Sequence, residues 1–145
     1  MMKMTTEKFN ILAQFIKDIS SETPDIESYL FVKDNMQKYH LNIEINSKAL
    51  KNKLIEVNTT LKFQDIDSNE KKSFFEIVYA SIVKIDANIH DNKKEMEKIL
   101  LCDVQNKIYP NLEKVFITLL TISGYPGVKL EKKIDFEKLF KERSN

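Results

Sequence analysis

Strand-like alternation of apolar and polar residues fills the chain from Phe9 to Ile85, and helical spacing fills it from about residue 92 to residue 143. Alternation places successive side chains on opposite faces of a strand, whereas apolar residues three and four apart line one face of a helix. Strands followed by helices predict the α+β class, with the helices packed on one side of a single sheet. A chain of 145 residues suits one domain, which we expect to span residues 1–145.

Four segments carry the alternation. The first begins at Phe9, two more cover residues 39–46 and 54–63, and the fourth runs from Phe74 to Ile85. One face of each predicted strand is apolar enough to seat the helices. The opposite face also has more large apolar side chains than a solvent-facing sheet needs, namely Leu12, Ile16, Leu54, Phe74, Val78 and Ile82. We therefore expect a second subunit or a bound chain to cover that face.

Two helices are predicted after the strands. Asp91 or Asn92 can cap a long helix that begins near Lys93. Pro110 lies inside this helical run and predicts a kink or a break, because proline removes one helical hydrogen bond. Asp135 can cap a short second helix. The apolar residues of that short helix are Phe136, Leu139 and Phe140.

The connection between the first two predicted strands covers residues 23–33 and begins around Pro24. Its middle is too apolar for a fully solvated loop, since Tyr29, Leu30, Phe31 and Val32 follow one another. Two interpretations fit this pattern. The segment is either a loop folded onto the core or the lid of an apolar groove.

The charge pattern argues against nucleic-acid binding. Charge is high but balanced, with 23 basic residues, 22 acidic residues and a net charge of +1. Such a chain has no strong overall field to recruit polyanions. Every basic residue except Arg143 is a lysine, although arginine is the preferred ligand for phosphates and base edges. We therefore expect no nucleic-acid partner.

Catalytic, metal and membrane signals are weak, so a binding function is expected. His40 and His90 fit no metal or catalytic-triad spacing, and we expect no enzyme, metal site or cofactor. Cys102 is the single cysteine, which excludes an internal disulfide and suits a reducing compartment. No run of about eighteen apolar residues predicts a membrane span, and the N-terminus lacks an export-signal pattern. We expect a cytoplasmic protein without membrane insertion.

Four co-linear segments resemble protein-export chaperones of the SecB type. Lys17–Pro24 is similar to the start of these chaperones, and Tyr125–Leu130 followed by Ile134–Phe140 is similar to their ending. Tyr109-Pro110 stands where their long helix carries an aromatic–proline step. The predicted strands also fall in the family's order and lengths. The resemblance therefore covers residues from about 9 to 141.

The resemblance implies a four-stranded antiparallel sheet, a long kinked helix and a short C-terminal helix, assembled as a homotetramer (a dimer of dimers). It also implies an ATP-independent holdase that keeps unfolded or precursor polypeptides competent for export. In the family the client groove lies between the crossover loop and the second helix. The matching residues here are Tyr29, Leu30, Phe31, Val32, Phe136, Leu139 and Phe140. The family's acidic outer sheet surface docks the export motor SecA, and the matching residues are Asp18, Glu22, Phe74 and Glu76.

Two features depart from export SecB proteins, and two other functions stay open. The net charge of +1 contrasts with their strong acidity, and Glu113-Lys114 replaces the arginine–glutamate pair that usually follows the helix proline. Some SecB-like proteins instead protect the antitoxin of a toxin–antitoxin pair, and this sequence is compatible with that role. A structural α+β oligomer without chaperone activity is the third hypothesis. It would leave no apolar groove free.

Overall fold

The computed structural model describes residues 8–65, 73–128 and 134–144. Its strands are β1 (Phe9–Glu22), β2 (Tyr39–Ala49), β3 (Leu54–Asp65) and β4 (Phe74–Ile85). They form one antiparallel sheet in the spatial order β1–β4–β3–β2, so β1 and β2 are its edges. The helices are α1 (Ile26–Asp34), α2 (Lys93–Lys98), α3 (Val104–Ile122) and α4 (Phe136–Ser144). The predicted α+β architecture is confirmed.

Strands β2, β3 and β4 keep the predicted alternation from end to end. Their odd-numbered residues share one face of the sheet, because residues directly opposite in an antiparallel pair lie on the same side. On the two central strands these residues are buried, from Ile55 to Phe63 and from Phe75 to Ile85. On β2 only Tyr39 is buried, and the following apolar residues of this face are half-buried. The helices therefore cover the centre of the sheet more fully than its edges.

The first strand departs from the predicted alternation because its register shifts twice, between Ile11 and Ala13 and between Ile16 and Asp18. Each extra residue in a bulge moves the following side chains to the other face. As a result Phe15 lies opposite Ala80 on the outer face of the sheet, the face away from the helices. Ile16 lies opposite Tyr79 on the helix side. The prediction that Ile16 belongs to the outer face is wrong for this reason.

The long helix is continuous from Lys93 to Ile122, with one wider turn inside it. Asn92 caps its start, because the Asn92 side chain accepts a hydrogen bond from the Glu95 N–H. Residues 99–103 form a π turn between α2 and α3, and the Val104 N–H bonds to the Ile99 carbonyl, five residues back. Pro110 lies inside α3, which continues to Ile122. The sequence predicts either a kink or a break at this proline. The helix is not broken there.

The apolar connection after β1 is a helix, not the predicted loop. Asp25 caps α1 by accepting a 2.8 Å hydrogen bond from the Ser28 N–H. Hydrogen bonding from the Ser28 side chain, together with this backbone bond, lowers the pKa of the Asp25 carboxyl. Val32 points into the core and is fully buried. Of the two interpretations of this segment, folding onto the core agrees with the burial of Val32, and a role as the lid of a groove stays a prediction. The sequence signal was the Asp25 cap directly after Pro24.

The C-terminal helix begins as predicted and is anchored by one aromatic residue. Asp135 caps α4 by accepting a hydrogen bond from the Lys138 N–H at 3.1 Å. Phe136, 2% exposed, packs edge-on against the Tyr109 ring with 5.5 Å between ring centroids. Residues 129–133, which include the end of the Tyr125–Leu130 segment that resembles SecB chaperones, lie outside the described residues.

A tyrosine pair joins α1 to the end of α3. The Tyr29 ring stacks on the Tyr125 ring at 5.1 Å, and the Tyr29 hydroxyl donates a 2.8 Å hydrogen bond to the Gly124 carbonyl. Gly124 has a φ of +102°, and a Cβ atom added there would lie 2.6 Å from the Tyr29 ring. Glycine is therefore required at this junction both for its backbone conformation and for space.

We predict that Gly124→Ala lowers the free energy of unfolding by about 2–4 kcal/mol, because it combines backbone strain with a steric overlap. Gly127→Ala is the matched control, since Gly127 also has a positive φ but no atom lies within 4 Å of its added Cβ. The control should lose only about 1 kcal/mol. Urea unfolding of both variants measures the difference. Equal losses would show that the contact with Tyr29 is unimportant.

Candidate functional site

An open apolar groove runs beside the edge strand β2, between this strand, the π turn and α4. Its deeper part has a volume of about 300 Å³ and is lined by Ile43, Glu44, Ile45, Leu101, Leu139 and Phe140. A second depression of about 420 Å³ adjoins it and is lined by Leu41, Asn42, Ile43, Ile134, Asp135, Lys138, Leu139 and Glu142. Ile43 and Leu139 line both depressions, so the two form one continuous surface along the strand.

The groove exists because one helix cannot cover four strands. Strands lie about 4.8 Å apart, whereas a helix with its side chains is about 10 Å across. The long helix therefore buries the helix-side residues of β3 and β4 and leaves those of β2 half-buried. Helix α4 lies beside β2 and adds Leu139, which is 45% exposed. The result is a surface that is mainly apolar around Ile43, Ile45, Leu101 and Leu139 and polar around Asn42, Asp135, Lys138 and Glu142.

The strand that lines the groove also has a free edge. Among the described residues, β2 pairs with β3 on one side and with no strand on the other. An edge strand presents unpaired N–H and C=O groups along its length, and β2 offers eleven residues. An extended peptide could pair with this edge while its alternate side chains enter the groove. Backbone pairing and apolar burial are both independent of a particular client sequence.

Of the seven residues predicted to bind clients, Leu139 and Phe140 line the groove beside β2 and the other five do not. Val32 and Phe136 are 0% and 2% exposed and pack in the core, and a client role for these two residues stays a prediction. Tyr29 is engaged with Tyr125 and Gly124 at the end of α3. Leu30 on α1 is exposed, but it does not line the groove beside β2.

The other three predicted residues keep partly accessible side chains. Leu139 and Phe140 line the groove together on α4. Phe31 is half-buried on α1, and packs against the edge of the core. A client role for all seven residues stays a prediction.

Sequence reasoning missed three wall residues, namely Ile43, Ile45 and Leu101. Ile43 and Ile45 were identified as part of a strand face, but their exposure depends on β2 being at the edge of the sheet. Strand order cannot be read from alternation alone. Leu101 lies in the π turn, where it is half-buried while its neighbours Leu100 and Cys102 are buried. A helical pattern with regular spacing does not predict this turn.

The outer face of the sheet carries the four residues predicted by resemblance to dock SecA. The register places Glu22 opposite Phe74 and Glu76 opposite Ser20, two residues along the same strand pair. Asp18 lies opposite Val78, again two residues further on. The three carboxylates and Phe74 therefore form one patch on β1 and β4.

Lysines partly neutralise this outer face. The Lys62 Nζ atom lies 3.9 Å from the Glu76 Oε1 atom and 3.7 Å from the Glu44 Oε1 atom. Lys17 lies 3.0 Å from Glu56, and hydrogen bonds from Asn58 and Lys17 lower the pKa of the Glu56 carboxyl. The face therefore mixes both signs of charge, as the balanced composition predicts.

Reactive groups are sparse in the part of the chain that the structure describes. No three His, Cys, Asp or Glu side chains among these residues cluster closely enough to hold a metal ion. Cys102 is buried, and burial raises the pKa of its thiol, which makes the reactive thiolate less available. Within the same residues, no helix is both long and apolar enough to cross a membrane.

Comparisons of the sequence with known proteins all indicate the same family. The family model described as preprotein translocase subunit SecB matches residues 2–145. A SecB protein of Pelagibacter ubique is 62% identical over 140 residues, covering 97% of this chain and 99% of its own. The protein-export protein SecB of Mesorhizobium japonicum is 26% identical over 134 residues, covering 92% of this chain and 78% of its own.

A solved structure shares the fold at low sequence identity. It is a SecB-like chaperone of Mycobacterium tuberculosis in complex with a peptide from an antitoxin. The two folds match with a TM-score of 0.66 over 88% of each chain, at 11% sequence identity. At this identity the likeness establishes the fold alone.

Proposed function

The chain belongs to the SecB family of protein-export chaperones, and we propose that it holds unfolded or precursor polypeptides along the groove beside β2. The observation that carries this proposal is an apolar groove built from three elements next to the unpaired edge of a strand. An unfolded client exposes both apolar side chains and unpaired backbone groups, and this surface offers a partner for each. The mechanism requires no nucleotide, metal or other cofactor, because no bond is made or broken.

The energetics of the groove fit a broad range of clients. Burying one large apolar side chain is worth about 1.5–3 kcal/mol before the cost of ordering the chain. Four or five such contacts give micromolar to nanomolar affinity, which corresponds to about 8–12 kcal/mol. Apolar burial is not directional, so the aliphatic and aromatic walls accept many side chains. The proposed groove therefore selects for an unfolded state and not for a sequence.

Binding would act on clients by mass action. A chaperone that binds the unfolded form lowers its free concentration, which delays both folding and aggregation. A precursor held in this way stays extended enough to be threaded through an export channel. We place this activity in the cytoplasm, where precursors are made before export.

An antitoxin is the second candidate client. The observation that favours it is the shared fold with a SecB-like chaperone that was solved with an antitoxin peptide. The high identity to a SecB protein over nearly the whole chain favours general export instead. Both functions would use the same groove, so the two differ in the client and not in the mechanism.

We expect Phe140→Asp to weaken the binding of an unfolded polypeptide about tenfold or more, because it places a charge on an apolar wall. The measurement is fluorescence anisotropy with a labelled, permanently unfolded protein. Ile26→Asp is the matched control, since Ile26 is 69% exposed on α1 and does not line the groove. The same variants should respectively lose and keep the ability to delay refolding of an unrelated protein. Full client affinity in folded Phe140→Asp protein would rule out this groove.

We also propose that the protein assembles as a homotetramer, a dimer of dimers, and that the uncovered edge β1 forms one of the interfaces of this assembly. This strand carries four large apolar side chains that are 43–50% exposed, namely Leu12, Phe15, Ile16 and Ile19. Both the free edge and these side chains would be covered by a second copy.

Light scattering at micromolar concentration should give a mass of about four times the 17.0 kDa chain. Ile19→Asp should shift the particle to smaller species, because a carboxylate would be desolvated at the interface. Ile26→Asp should leave the mass unchanged. A monomeric wild-type protein at this concentration would contradict the proposed assembly.

Docking of SecA on the patch of Asp18, Glu22, Phe74 and Glu76 is a further proposal, supported by the register that brings these residues together. Reversing two charges, with Asp18→Lys and Glu76→Lys, should weaken SecA binding about tenfold at low salt. Glu97→Lys is the control, because Glu97 is an exposed carboxylate on α2. Calorimetry with purified SecA measures the effect. Equal affinity of the double variant and the control would show that SecA does not use this patch.

A further inference from the structure

One hydrogen-bonded polar pair is sealed inside the apolar core next to the groove. The Thr59 hydroxyl donates a 2.8 Å hydrogen bond to the Gln105 side-chain carbonyl, and both residues are 0% exposed. The Gln105 side-chain amide donates in turn to the Leu100 backbone carbonyl at 3.2 Å. A buried amide is costly to keep unless it is paired, and an apolar residue could fill the same space. We therefore expect the Thr59–Gln105 pair to have a role besides filling the core.

The π turn explains what the Gln105 amide does. In a regular α-helix the Leu100 carbonyl would accept from the N–H of Val104, four residues later. In this helix the Val104 N–H bonds instead to the Ile99 carbonyl. The Leu100 carbonyl has therefore lost its usual α-helical donor, and the side chain of Gln105 provides a donor there. Single π turns inside α-helices are rare and are often found at functional sites.

The same pair connects the two walls of the groove. Gln105 lies four residues after Leu101, the π-turn residue that lines the groove from the helix side. Thr59 on β3 lies directly opposite Ile45, which lines the groove on β2. The Thr59–Gln105 hydrogen bond thus joins the turn that carries one wall to the strand beside the other wall.

We propose that Gln105 and Thr59 are positioning residues for client binding: they hold the π turn and fix Leu101 relative to Ile45. Neither side chain can touch a client, because both are fully buried. Their effect on binding must therefore pass through Leu101. This inference rests on the proposed function, since it takes the groove beside β2 as the client site.

The first test uses Gln105→Met, which keeps the length of the side chain and removes its hydrogen bonds, and Thr59→Val, which keeps its shape. Both variants should speed amide hydrogen exchange in the π turn of the client-free protein, and both should weaken client binding about five- to tenfold. Ser81→Ala is the matched control. Ser81 is a fully buried hydroxyl on β4 that has no hydrogen-bond partner among the described residues. Ser81→Ala should change neither the rate of amide exchange in the π turn nor the affinity for the client.

The second test is a double-mutant cycle with Leu101→Ala, measured with the labelled unfolded protein. Gln105→Met should weaken binding in the wild-type background and have little further effect once Leu101 is truncated. A purely destabilising substitution would instead add its effect in both backgrounds. Thr59→Val repeats the cycle from the sheet side, in case Gln105→Met fails to fold.

Each outcome decides the inference. Coupled losses together with faster exchange in the π turn support it. Additive losses, or unchanged exchange in folded Gln105→Met and Thr59→Val proteins, overturn it. If Leu101→Ala weakens binding while the two core variants do not, Gln105 and Thr59 have no positioning role. The groove beside β2 then remains the proposed client site. If Leu101→Ala binds clients with full affinity, Leu101 does not contact clients and the inference is overturned, whereas the groove itself is tested separately by Phe140→Asp.

Discussion

The packing of a single long helix across a four-stranded sheet is the constraint on which the rest of the structure depends. The helix buries the centre of the sheet, where Phe63 packs edge-on against Phe116 with 5.1 Å between ring centroids. Because the sheet is wider than the helix, the apolar residues of both edge strands stay partly uncovered. A monomer with this architecture therefore keeps apolar surface that the described residues do not bury. In the proposed function, part of this surface binds clients.

The two uncovered edges differ in a way that suggests different partners. The β2 edge is partly walled by α4 and the π turn, which makes a groove along the strand. The β1 edge has no such walls among the described residues, and its exposed apolar side chains lie on both faces because two bulges twist the strand. A walled groove suits a narrow and variable client, whereas an open edge suits a flat and self-complementary copy of the same chain.

The sequence predicted those parts of the fold in which a single periodicity is uninterrupted. Alternation identified β2, β3 and β4 and their core faces, and the caps Asn92 and Asp135 marked the starts of two helices. It misplaced Ile16, because a bulge adds one residue without changing composition. It missed α1, whose nine residues have no strong apolar stripe and follow a proline.

The site was only half predicted for a similar physical reason. Leu139 and Phe140 follow from the pattern of a short amphipathic helix and from the family resemblance. Ile43, Ile45 and Leu101 require knowledge of strand order and of the π turn, which are properties of the assembled fold. Val32 and Phe136 were carried over by family position and are buried in this chain, because large apolar residues serve cores and binding sites equally well.

The most direct test of this account is NMR mapping of the protein with and without a bound unfolded polypeptide. Incomplete coverage of β2 by the helices predicts slower amide exchange along residues 39–49 in the complex, and shifted methyl signals for Ile43, Ile45 and Leu139. Signals of the outer sheet face, such as those of Val78, should stay unchanged. Unaltered β2 and α4 signals, with all changes on the outer face or on β1, would contradict the account.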